Sequence, residues 1–225
     1  LAGVLTAGAE VERRCASMAA RCGELWRAAL LQGAAGDARA LMGELEQLLG
    51  RGEALAERCG AMAESCARLW RGELAAGPIA DARRAMAALE ALLDRGAKVE
   101  RSCREAGWPC ADGWRAALAA GDPGRAAALL ERQEAALPGL GAAEERLASE
   151  GVDRILRGTG PSSDPLAEAK AAFARGEVAE AEALTGAARA RQARQQLLIL
   201  VAGGLATVAA VGVLAAKILP PGAFL

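Results

Sequence analysis

Three cysteine and tryptophan triplets recur at an interval of 44 residues. Cys15, Cys22 and Trp26 are followed by Cys59, Cys66 and Trp70, then by Cys103, Cys110 and Trp114. Every cysteine, and every tryptophan except Trp108, belongs to this register. A fixed period of this size is the signature of a helical repeat array, so it constrains the architecture before any residue is assigned chemistry. The register extends well past the cysteines. Arg27, Arg71 and Arg115 follow the tryptophans, then come Leu30, Leu74 and Leu118, Gly33, Gly77 and Gly121, Glu46, Glu90 and Glu134, and Leu49, Leu93 and Leu137. The first two copies also share Met18 with Met62, Asp37-Ala38-Arg39 with Asp81-Ala82-Arg83, Met42 with Met86, and Gly52 with Gly96. A fourth copy would need cysteine at 147 and 154, which hold Leu147 and Arg154. The expected array therefore has three repeats, at about 10–50, 51–94 and 95–137.

Alanine and leucine carry the apolar content: 53% of the 225 residues are hydrophobic but only 3% aromatic. Such residues favour helix and pack helices closely, and no run of alternating β-branched residues reads as a strand. The expected class is all-α, the repeats folding either as long antiparallel helices, like a bundle, or as a short solenoid of stacked helical hairpins. Residues 10–32 read as one helix, with Val11, Cys15, Met18, Cys22, Leu25 and Trp26 at spacings of three, four and seven. Asp37 is placed to cap a second helix, which either pauses at Gly50-Arg51-Gly52 or runs on to Cys59. Gly77-Pro78 and Gly121-Asp122-Pro123 mark the next turns, the latter with Asp as cap and Pro at the first helical position. Pro138 to Gly141 reads as the end of the third repeat, and 142–157 as a short helix. Residues 138–165 then include the Gly158–Pro165 linker, and 166–196 form a helical hairpin turned at Gly176.

The hairpin segment LAEAKAAFARGEVAEAEAL resembles one helix pair of a tetratricopeptide-type repeat, with small residues facing each other across a glycine turn. LWRAALLQG followed by DARALMGELEQLL is similar in logic. The period departs from the roughly 34 residues of that family, and its Trp-Leu-Gly-Tyr pattern is missing. The resemblance implies protein–protein interaction.

Residues 197–216, LLILVAGGLATVAAVGVLAA, carry no charge. At about 1.5 Å per residue they span the ~30 Å hydrocarbon core, so 197–219 is expected to be a single membrane helix contacting lipid, with 220–225 as a tail. Ala202, Ala206 and Ala210 lie four apart, as do Gly203 and Thr207, giving a smooth face for close helix contact. Arg189, Arg191 and Arg194 before the span, against Lys217 after it, favour a cytoplasmic body. The segment LAGVLTAGAE instead resembles the tail of a signal peptide, so residues 1–9 are expected to be such a remnant or an N-terminal extension. Paired cysteines fit an oxidising compartment. An outward-facing body, extracellular or periplasmic, is favoured over a cytoplasmic one.

Cysteines seven apart on a continuous helix are separated by about 10.5 Å along its axis, whereas a disulfide needs Cα atoms within about 7 Å. Between Cys103 and Cys110, Gly107 and Pro109 allow a turn that a bridge could close. The intervals after Cys15 and Cys59 show no comparable breaker. Three structural disulfides in some connectivity are the favoured reading for the six cysteines. If the copies are structurally equivalent, Cys15–Cys22 and Cys59–Cys66 close as Cys103–Cys110 does, while bridges between successive copies and buried free thiols remain open readings. The tryptophans, one turn beyond the second cysteines, are expected to be packing residues.

There is no histidine, which counts against hydrolase and metalloenzyme chemistry. Charges nearly balance at 27 basic and 28 acidic residues, without the concentrated basic face of a nucleic-acid binder. No enzyme activity, cofactor, metal or small-molecule substrate is expected. The expected role is a membrane-anchored structural or protein-interaction scaffold, binding a protein partner or itself. The alternative is an accessory subunit of a larger membrane complex, and a thiol redox protein is the third reading.

Overall fold

The computed structural model describes residues 2–149, 165–191 and 193–194. These residues are helical with no strand among them. The helices are α1 (Ala2–Cys15), α2 (Ala19–Leu31), α3 (Ala35–Cys59), α4 (Ala63–Ala76), α5 (Ile79–Glu105), α6 (Ala111–Ala119), α7 (Pro123–Ser149) and α8 (Pro165–Ala174). Residues 178–191 are also helical. Described residues up to 135, with 174–176, form one compact unit, and the other described residues form a second.

In the first unit α1 packs on α3 and α3 on α5. The short helix α2 lies against both α1 and α3, and α4 against both α3 and α5. Each short helix therefore pairs with the long helix before it as a hairpin and also covers the long helix that follows. The buried positions explain this arrangement. Val4, Leu48 and Leu92 are buried, as are Val11, Leu55 and Val99, and Ala38, Ala82 and Ala126. Each of these sets is spaced 44 residues apart. A fully buried Leu or Val contributes about 1.5–3 kcal/mol relative to an exposed one, so these rows supply the drive for packing, with alanine where helices approach closely.

Several local expectations change. The first helix starts at Ala2 rather than near residue 10, and Val4, Gly8 and Val11 are on its buried face. Residues 10–32 are two helices, separated by a single 3-10 turn at Ala16–Met18. Asp37 is not a cap: α3 begins at Ala35, after an N-cap at Ala34 that makes no side-chain bond, and Asp37 lies in its first turn. At Gly121-Asp122-Pro123 the expectation and the structure agree, with α7 starting at Pro123 and the Arg125 amide donating to Asp122 Oδ1 at 2.8 Å. Helix α3 runs unbroken through Gly50 and Gly52, because Leu45, Leu48, Leu49 and Leu55 keep one face buried on both sides of the glycines. Tertiary packing there outweighs the roughly 1 kcal/mol that a glycine costs a helix. Pro138 does not end α7 but lies inside it.

In the second unit Ala169, Ala172, Phe173 and Ala181 are buried. The Thr185 hydroxyl donates to the Ala181 carbonyl at 2.7 Å, and Lys170 Nζ pairs with Glu144 Oε1 at 2.7 Å. The expected membrane helix at 197–219, with its face of Ala202, Gly203, Ala206, Thr207 and Ala210, lies outside the described residues, as does most of the Gly158–Pro165 linker. Among the described residues no helix is long and apolar enough to cross a membrane.

Candidate functional site

Each of the three hairpins is closed by its own disulfide: Cys15–Cys22, Cys59–Cys66 and Cys103–Cys110. Their Cα separations are 6.6, 6.7 and 6.2 Å, well below the spacing of an unbroken helix. The chain achieves this by reversing direction between the two cysteines. In the first two hairpins the reversal is one 3-10 turn, Ala16–Met18 and Gly60–Met62, with the methionine buried beneath it. In the third, α5 ends at Glu105 and Gly107 takes a φ of 72°, with Trp108, the tryptophan outside the register, buried at the turn. Gly60 opens its turn at φ 54°, conformational space natural to glycine. Ala16 stands at the same register position with φ 51°, the one non-glycine residue in this region among those described. All six cysteines are buried. They hold turns together and present no accessible thiol.

Behind each staple the tryptophan of the short helix lies in a notch of the long helix. Trp26, Trp70 and Trp114 are all buried. The notch is made by Gly8, Gly52 and Gly96, where an added Cβ would approach the indole to 2.3, 2.6 and 2.6 Å. Glycine is required here by close approach, since any side chain would displace the ring. The guanidinium of the following residue lies over the ring: Arg27, Arg71 and Arg115 stand 5.5, 5.3 and 5.4 Å from the ring centroids, within cation–π range. The indole N–H groups of Trp26 and Trp114 are buried without an acceptor, a penalty of about 1–3 kcal/mol each that the surrounding packing must exceed.

Arg27 donates to Glu12 at 2.5 Å, and Arg115 forms a two-point pair with Glu100 at 2.8 Å on both bonds. In the middle hairpin the matching acid is replaced by Ala56, and Arg71 Nε is buried with no acceptor.

Neighbouring hairpins are linked in register as well. Arg51 pairs with Glu90 by bonds of 2.7 and 2.5 Å, and 44 residues on Arg95 pairs with Glu134 at 2.9 Å. The hydrogen bond from Arg51 holds the Glu90 carboxyl below its ordinary range, and that from Arg95 does the same for Glu134. On the short-helix side, Arg21 of α2 donates to the Gly77 carbonyl at 3.1 Å beyond the end of α4. Ser65 of α4, at the same register position, donates to the Ala119 carbonyl at the end of α6, 2.5 Å away. These bonds satisfy helix-end carbonyls that otherwise need water.

An open groove of about 500 Å³ lies along α5, lined by Leu69 and Glu73 of α4, by Ala85, Ala88 and Leu92 of α5, and by Ala127 of α7. Its origin is legible in the register. Forty-four residues earlier, the equivalents of Ala85, Ala88 and Ala127 are Leu41, Glu44 and Arg83. There Arg83 and Glu44 form an ion pair at 3.2 Å. Alanine here stands at three register positions that hold large side chains, two of them ion-paired, in the preceding hairpin, and it leaves the trough apolar.

The three bridges are the pairing expected for structurally equivalent copies, although the intervals after Cys15 and Cys59 carry no helix breaker in their sequence. The glycine notches, the stacked arginines and the groove emerge only from the structure. The signal for the notches was available: Gly8 precedes Gly52 by 44 residues, yet the residues before it resemble a signal peptide. Among the described residues, no group of acidic or cysteine side chains is arranged to hold a metal ion. No protein-family profile, curated protein or solved structure matches the chain.

Proposed function

We propose that this chain is a membrane-anchored scaffold of three tandem 44-residue helical repeats, whose stapled hairpins present the α5 groove to an apolar segment of a protein partner or of a second copy. The observation that carries the reading is the groove itself. It is apolar and open, and alanine lines it at register positions that hold large side chains in the preceding hairpin. Buried disulfides support a rigid display surface over thiol chemistry, because the sulfurs are consumed in closing turns. Anchoring rests on residues 197–219, whose apolar length matches a bilayer, and the paired cysteines favour an outward-facing body.

The test uses full-length protein extracted in detergent and sized by analytical ultracentrifugation, with and without residues 197–225. The scaffold reading expects association to survive loss of the segment and to disappear when the groove is filled by Ala85→Leu, Ala88→Glu and Ala127→Arg together, with helicity and melting retained. Association that depends wholly on residues 197–225 would instead support an accessory subunit packed through the Ala202, Ala206 and Ala210 face. A monomer under every condition would contradict self-assembly.

A further inference from the structure

The middle hairpin lacks an acid that both of its neighbours possess. In the first hairpin Glu12 meets the guanidinium stacked on Trp26, and in the third Glu100 meets the one stacked on Trp114. Both carboxylates are substantially sheltered, at 18% and 17% exposure. The slot between the long and short helices is thus a partly desolvated seat for one carboxylate, where a charge-assisted bond is stronger than in open water. In the middle hairpin the arginine and its tryptophan remain, 5.3 Å apart, but Ala56 leaves the seat empty. Among the described residues Arg71 makes no hydrogen bond or ion pair. Its Nε is buried, whereas its two terminal nitrogens are not.

The surrounding charges sharpen the contrast. Three residues before the stacked arginine, the flanking hairpins carry Glu24 and Asp112, whereas the middle one carries Arg68. Beside the seat, Glu57 replaces Arg13 and Arg101, and it pairs with neither Arg68 nor Arg71. Over these four register positions the first and third hairpins are neutral and the middle one has a charge of +1.

We propose that Arg71, with Ala56 as the floor of the seat, is a docking point for the carboxylate of an Asp or Glu side chain on a protein partner. The flanking hairpins show the chemistry of the occupant: a carboxylate received by a guanidinium held over an indole, through one bond in the first hairpin and two in the third. That the carboxylate comes from a protein rests on the interaction reading above; the carboxylate seat does not.

The test is NMR of the arginine Nε–H resonances of the full-length protein in detergent micelles, assigned through Arg27→Lys, Arg71→Lys and Arg115→Lys. Sodium acetate is titrated against sodium phosphate at constant ionic strength. A saturable shift of Arg71 with acetate, absent from Arg27 and Arg115 and abolished by Ala56→Glu, supports the seat. An Arg71 shift no larger than that of the other two, or equal shifts with acetate and phosphate, overturns it. A helical alanine-based peptide with one Glu is then compared with its Gln version. A shift with the Glu peptide alone supports a protein source. An acetate response without a peptide response overturns that source and leaves the carboxylate seat standing.

Discussion

The first and middle hairpins are assembled from the same parts, and their differences separate what the fold requires from what it leaves free. Both have a glycine notch, a buried tryptophan, a stacked arginine and a disulfide across a 3-10 turn. Three of the register positions at which they differ are instructive. Ala16 stands in the first where Gly60 opens the second turn, Glu12 where Ala56 leaves an arginine unpaired, and Arg21 where Ser65 makes the shorter link to the next helix end. The arginine apart, the shared set is apolar, sulfur or glycine and lies inside. Apart from the turn residue, the variable set is polar or replaces a polar residue. Packing at the indole sets the geometry, and the rim adjusts charge.

The strongest way to break this comparison is to remove the indole. Trp26→Ala and Trp70→Ala should each lower the unfolding free energy by about 3–5 kcal/mol in urea denaturation. Unequal losses would show that the two notches are not equivalent. Replacing either cysteine pair by alanine closes no loop in the unfolded chain and should lower stability by about 2–3 kcal/mol, equally for Cys15–Cys22 and Cys59–Cys66. The turn residues should then respond in opposite directions. Gly60→Ala forces a side chain into left-handed backbone and should destabilise by about 1–2 kcal/mol, whereas Ala16→Gly should gain up to about 1 kcal/mol. The rim should matter least: Glu12→Ala should lose, and Ala56→Glu gain, less than about 1 kcal/mol, and both effects should shrink in high salt.

A pH series tests the link between the middle hairpin and its neighbours. The Glu90 carboxyl is depressed in the folded state by its bond from Arg51. Its contribution is therefore fully present above the ordinary carboxylate value of 4.5 and is lost as pH falls below it. Glu90→Gln should flatten this acid limb and leave the neutral plateau slightly lower.

How much of this was legible in the chain follows from which interactions repeat. The helical class and the hairpin spacing could be read because apolar residues, turn glycines and cysteines recur together. The direction reversal between Cys15 and Cys22 could not, because Ala16 adopts a backbone conformation that its residue type does not advertise. Pro138 misled for the opposite reason: it signals a helix end, yet α7 passes through it, with Leu137 and Leu140 buried on either side. The groove depends on alanines that look unremarkable until they are set beside Leu41, Glu44 and Arg83. The empty acid seat is visible only through the structure of the flanking hairpins, since nothing in sequence places Glu12 against Arg27 or Glu100 against Arg115.

The central claim is that each 44-residue interval is closed by its own disulfide across a helical turn, and non-reduced peptide mapping tests it most directly. Cleavage after arginine and glutamate cuts between the two cysteines of every pair, after Arg21, Glu64 and Glu105, and between successive pairs, after Arg39 and Arg83. Three cross-linked species are expected, joining Cys15 to Cys22, Cys59 to Cys66 and Cys103 to Cys110, each falling apart on reduction. Bridges between hairpins, such as Cys22 to Cys59, or six alkylatable thiols in the folded protein, would contradict the account.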